Sequence, residues 1–169
     1  PDFDLNIMSS GQDLSDVTSR VLLGIREIFV QEKPDLVVVH GDTSTTFGAS
    51  LAAFYAGIPT AHIEAGLRTH DLDAPFPEEF NRKVTGMVSK FHFAPTPLSK
   101  NNLLNEGIDR RFVWVTGNTV IDALHWVLHK ISSRPDLESS LSSSLNDLLH
   151  FDWKIDKYVL ITGHRRENF

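Results

Sequence analysis

The sequence predicts an α/β fold built on a parallel sheet covered by helices on both faces. Three observations predict it: short aliphatic runs too brief for helices, longer segments with apolar residues at helical spacing between them, and Gly or Pro at most junctions. Strands alternating with helices in this way form right-handed βαβ units.

Each element has its own signal. From Asp13 to Lys33, Leu14, Val17, Val21, Ile25, Ile28 and Phe29 recur every three or four residues, and Pro34 stops the helix. Leu36 to Val39 is a continuous aliphatic run suited to a buried strand. Phe47, Leu51 and Phe54 place a helix over residues 43–56, closed by Gly57 and Pro59. Thr60 to Ile63 reads as the next strand. After a loop from Ala65 to Pro77, Glu78 and Glu79 occupy a helix first turn, where the dipole favours carboxylates, and that helix runs to about Lys90. Phe91 to Ala94 is strand-like. Thr96 caps a helix with Pro97 in its first turn, and Gly107 closes it. A strand over 112–116 and a helix over 120–131 follow. The serine-rich stretch 132–156 reads as a linker or weakly helical connector, and Lys157 to Ile161 as a further strand. The expected division is therefore 1–131 as an N-terminal domain, 132–156 as linker, and 157–169 as the first strand and loop of a second domain.

Composition narrows the function. A chain of 169 residues holds one domain with a core but not two full α/β domains. Hydrophobic residues at 41% and charged residues at 22% exclude a disordered or fibrous chain. Sixteen basic against 22 acidic residues give a net charge of −6, which argues against nucleic acid as partner. No apolar run approaches the roughly 18 residues of a membrane span, and no signal peptide is seen. The absence of cysteine excludes disulfides, thiolate nucleophiles and cysteine-ligated zinc, and fits the expected cytoplasmic location. The chain opens at Pro1 without an initiator Met and closes shortly after a strand signal, so it is expected to be a piece of a longer protein.

Ligands of open parallel sheets bind at the carboxyl ends of the strands. The residues there are His40-Gly41-Asp42, Glu64-Ala65-Gly66, Gly117-Asn118 and Gly163-His164-Arg165-Arg166. Asp42 suits both an N-cap for the following helix and a catalytic role. His40 and His62 read as core histidines bonded to backbone. Glu64 reads as functional, because a carboxylate closing a buried strand sits beside Gly66, which would let a ligand approach the backbone. By composition, Glu78 and Glu79 read as first-turn acids on a solvated face, with Glu78 four residues from Arg82 for an ordinary ion pair. His164, Arg165 and Arg166 after a glycine suit a phosphate, with a solvated basic loop as the plainer reading. His40, Asp42, His62 and Glu64 also permit a zinc or manganese site, and hence a metal-dependent hydrolase, as a minority reading. No Walker A loop and no G-x-G-x-x-G is present.

Five ordered strings carry a resemblance: HGDTST from His40, HIEAGLRT from His62, PFPEEFNR from Pro75, VTGNTVIDAL from Val115 and TGHRREN from Thr162. Together they resemble the bacterial non-hydrolysing UDP-N-acetylglucosamine 2-epimerases over almost the whole chain. Hydrolysing relatives, which release free ManNAc, are expected to lack EAGLRT and PEE. The resemblance implies a Rossmann-like domain, part of a two-domain glycosyltransferase type B fold, with the substrate in the cleft between halves. It implies reversible epimerisation of UDP-GlcNAc to UDP-ManNAc through elimination of UDP to a 2-acetamidoglucal, supplying ManNAc-type sugars for surface polysaccharides. Asp42, Glu64, Glu78 and His164 match the catalytic positions, and Arg82, Arg165, Gly66 and Asn118 the substrate-binding ones. Glu78 and Arg165 also match a region where a second UDP-GlcNAc acts as allosteric activator. No metal or redox cofactor is implied; a homodimer is. The isolated chain is expected to be inactive.

Overall fold

The computed structural model describes residues 2–162. It divides into two compact units, one reaching to Thr119 and one beginning at Val120. In the first, the order is α1 (Leu14–Glu32), β1 (Val37–His40), α2 (Ser44–Tyr55), β2 (Thr60–Ile63), α3 (Glu78–Val88), β3 (Phe91–Ala94), α4 (Pro97–Asn105), a 3-10 turn (Arg110–Phe112) and β4 (Val113–Val115). The four strands are parallel and lie in chain order, β1-β2-β3-β4. Among the described residues, no helix is long and apolar enough to cross a membrane.

Local chemistry explains the boundaries. Asp13 and Asp16 close a reciprocal capping box at the start of α1, and Lys33 turns left-handed (φ 48°) where it stops. Thr96 accepts a hydrogen bond from the Ser99 amide at the start of α4, with Pro97 in its first turn. At α2 the capping oxygen belongs to Thr43, which accepts from the Thr46 amide. The capping role allowed for Asp42 is therefore taken by its neighbour, and the Asp42 carboxylate is turned elsewhere.

The expected cover on both sheet faces is met on one. Val39, His62, His92 and Val113 are aligned across the four strands and all are buried. On the opposite face Val38 is 58% exposed and Trp114 42% exposed. Strands laid down in chain order with right-handed crossovers send α2, α3 and α4 to the same side, which accounts for the asymmetry.

The second unit carries α5, which starts at Thr119 and ends at Ser132, and α6 (Pro135–Leu148). Regular helix thus forms much of the stretch read as a linker or weakly helical connector. Pro135 opens α6, Asp136 and Glu138 follow in its first turn, and Leu137, Leu141, Leu145 and Leu148 recur at helical spacing. The apolar run from Lys157 to Ile161 is exposed and pairs with no strand among the described residues.

Candidate active site

Backbone pairing continues past the strand ends, by one residue at β1 and two at β2: the Gly41 amide donates to the Ile63 carbonyl and the Ala65 amide to the Phe93 carbonyl, both at 3.0 Å. Asp42 and Glu64 consequently leave the sheet side by side at its carboxyl edge. The turn at Gly41 has φ 72°, and a Cβ built there would lie 3.3 Å from Glu64 Oε2. The Glu64 carboxylate therefore lies over the residue that precedes Asp42. Glu64 itself adopts φ 67°, a left-handed conformation that costs a non-glycine residue about 1 kcal/mol and is typical of functional sites.

Three side chains fix the Asp42 turn. His62 Nε2 lies 2.8 Å from the Gly41 carbonyl, Asn81 Nδ2 donates to the Asp42 carbonyl at 2.9 Å, and Arg82 Nη2 reaches Asp42 Oδ2 at 3.2 Å. Asn81 and Arg82 belong to α3, whose first residue is Glu78. One helical turn thus supports Asp42 and presents Glu78, half-buried, at the helix N-terminus. Arg82 Nε also donates to the Glu78 carbonyl at 3.3 Å. Asp42 and Glu64 thus lie at one edge, on either side of the Gly41 turn, and α3, which begins at Glu78, packs against that turn through Asn81 and Arg82.

Several expectations need correcting. The carboxylate partners of Arg82 are Asp42 and Glu79, at 3.2 and 3.4 Å; the expected pair with the Glu78 side chain is not formed. Glu79 lies on no solvated face: it is fully buried and accepts from the Thr69 and His70 amides at 3.0 and 3.1 Å. Packing gives the glycine at 66 a requirement of its own besides any ligand contact, since at φ 88° its Cβ would collide with the Ser99 carbonyl. Its own carbonyl accepts from Asn102 Nδ2 at 2.9 Å. Asn118 follows Gly117 at the end of β4 and is half-buried. His164, Arg165 and Arg166 lie outside the described residues.

His62 is the core histidine that was expected. Burial is the main force pushing it down to about 4, so the ring is neutral at pH 7. His40 is instead exposed, with Nε2 3.1 Å from the Thr119 hydroxyl rather than on a backbone group. In these placements His62 Nε2 faces the Gly41 carbonyl and His40 Nε2 faces the Thr119 hydroxyl. Among the described residues, no three His, Asp or Glu side chains gather as metal ligands.

A family model described as UDP-N-acetylglucosamine 2-epimerase matches residues 1–169. UDP-N-acetylglucosamine 2-epimerases of Yersinia pestis and Escherichia coli K12 are each 50% identical over 169 residues, covering all of this chain and 44% of the relative. The chain thus spans less than half the length of the curated relatives it matches. A crystal structure of UDP-GlcNAc 2-epimerase from Neisseria meningitidis bound to UDP-GlcNAc aligns with a TM-score of 0.80 at 49% identity, over 88% of this chain and 40% of that one. The Methanocaldococcus jannaschii enzyme in complex with UDP-GlcNAc and UDP gives 0.78 at 40% identity, over 85% and 38%.

Proposed function

The chain belongs to the UDP-N-acetylglucosamine 2-epimerase family, and from that premise we propose that the full-length protein interconverts UDP-GlcNAc and UDP-ManNAc by inverting C2 of the sugar. The C2 proton has no neighbouring carbonyl to acidify it, so a base alone fails. Departure of UDP by cleavage of the C1–O bond builds oxocarbenium character at C1 and acidifies the C2 proton. A carboxylate removes that proton, leaving 2-acetamidoglucal and UDP. Proton delivery to the opposite face of C2, with return of UDP to C1, completes the inversion.

Such a route needs acid-base groups around both faces of one ring. The observation that carries the proposal is that the Glu64 carboxylate lies over Gly41, the residue before Asp42, while Arg82, on the helix that begins at Glu78, holds the Asp42 carboxylate. We assign Asp42, Glu64 and Glu78 to the proton transfers and Arg82 to holding Asp42 in direction. His164 and Arg165 take the diphosphate, whose negative charge grows as the C1–O bond breaks. Gly66 and Asn118 complete the sugar and nucleotide contacts. No step requires a metal or redox cofactor.

The wider reading follows from the same assignment. The enzyme is of the non-hydrolysing type, works in the cytoplasm as a homodimer in a two-domain glycosyltransferase type B architecture, and feeds ManNAc-type sugars to surface polysaccharide synthesis. A second UDP-GlcNAc near Glu78 and Arg165 activates it. The 169-residue chain by itself is inactive. Incubation of the full-length protein with UDP-GlcNAc tests the type directly: UDP-ManNAc supports it, whereas free ManNAc with UDP assigns the hydrolysing reaction instead.

A further inference from the structure

Beside Glu78, α3 carries a second carboxylate to which the reaction scheme gives no work. Glu79 is fully buried, and a buried carboxylate persists only where its oxygens are occupied. Oε1 accepts from the His70 amide at 3.1 Å; Oε2 accepts from the Thr69 amide at 3.0 Å and lies 3.4 Å from Arg82 Nε. The same guanidinium extends Nη2 to Asp42 Oδ2 at 3.2 Å. The Nε–H itself donates to the Glu78 carbonyl at 3.3 Å, so the rigid planar guanidinium is seated on its own helix and against an anchored, buried carboxylate while Nη2 holds Asp42.

We propose that Glu79 is a positioning residue for Asp42, acting through Arg82. The inference rests on the epimerase reading, in which Asp42 transfers a proton. A carboxylate suits the position better than an amide, because two N–H donors meet its separate oxygens and the third neighbour is the Arg82 cation, which the amide nitrogen of Gln can neither accept from nor neutralise. A competing role for Glu79 is simple anchorage of the loop at Thr69 and His70, independent of Arg82.

The test uses the full-length protein and four variants: Glu79→Gln, Arg82→Gln, the double variant, and Arg82→Lys. Each is followed by kcat and KM for UDP-GlcNAc and by thermal unfolding. Glu79→Gln is expected to lower kcat roughly tenfold to a hundredfold, as small misplacements of a reacting group do, with KM within about twofold. The double variant is expected to turn over within about twofold of Arg82→Gln alone, since the connection is already cut. Losses that multiply in the double variant overturn the proposal in favour of loop anchorage. If Glu79→Gln shows no cooperative unfolding, Arg82→Lys decides: a point charge cannot bridge two carboxylates as the fork does, so kcat is expected to fall nearly as far as in Arg82→Gln. A wild-type kcat in Arg82→Lys overturns the proposal. An inactive wild-type enzyme removes the epimerase reading and this inference together, whereas an active one with multiplying losses removes only the inference.

Discussion

His62 Nε2 lies 2.8 Å from the Gly41 carbonyl oxygen, so a buried ring on β2 holds the turn that presents Asp42. Replacing His62 with Phe keeps the bulk and removes the hydrogen bond, leaving that carbonyl to lose its partner. The expected cost is about 1–3 kcal/mol of stability, measured by urea unfolding. A fall in kcat of roughly tenfold or more should accompany it in the full-length enzyme, because the Asp42 turn loses one of its supports.

The two aligned histidines make the fold acid-sensitive. Burial, the largest influence on each, pushes both His62 and His92 down to about 4, against about 6.5 for a free imidazole. Between those values the unfolded chain binds protons that the folded chain does not, so stability rises with pH through that window. The stability present above pH 6.5 is therefore lost as pH falls towards 4, on the order of 3 kcal/mol per histidine. Thermal melts at pH 7, 5.5 and 4.5 should show the decline, and His92→Phe should flatten its slope.

Two glycines separate backbone strain from collision. Gly57 has φ 70° with open space where a Cβ would go, so Gly57→Ala should cost only about 1 kcal/mol. Gly66 has a similar φ of 88°, but its Cβ would strike the Ser99 carbonyl. Gly66→Ala should therefore cost about 3 kcal/mol or more by the same denaturation measurement.

Arg68 and Glu106 join the loop after β2 to the end of α4. Arg68 Nε and Nη2 meet the two Glu106 oxygens at 2.7 Å, with the Arg68 side chain fully enclosed. Hydrogen bonding from Arg68 holds Glu106 below the usual carboxylate range. Its stabilisation is thus present above the ordinary glutamate value and lost as pH falls through the lowered one. Glu106→Gln should destabilise the fold by about 2 kcal/mol at pH 7, and the gap from wild type should narrow at pH 3.

Much of this was legible in the chain because strands and helices here obey simple periodicities. Val37 to His40 and Thr60 to Ile63 form the first two strands, and the strand-end rule singles out Asp42 and Glu64. Glu79 was hidden because the buried face of α3 is polar: Glu79, Asn81, Arg82 and Thr85 lie where a hydropathy pattern seeks aliphatics. Asp42 and Thr43 are both capping types, so only coordinates reveal which side chain turns to the helix. In α6, abundant serine masked a leucine spacing that was present all along. At Lys157 to Ile161 an apolar run specified a strand, but pairing depends on a neighbour rather than on the run.

The central claim is that carboxylates at this sheet edge exchange the C2 proton of a UDP-linked sugar. Turnover of UDP-GlcNAc by the full-length protein in D2O, followed by proton NMR of the C2 position, tests it most directly. UDP-ManNAc carrying deuterium at C2 is expected, with Asp42→Asn, Glu64→Gln and Glu78→Gln each slowing its appearance by at least about tenfold. Epimerised product that retains its original C2 proton would contradict it.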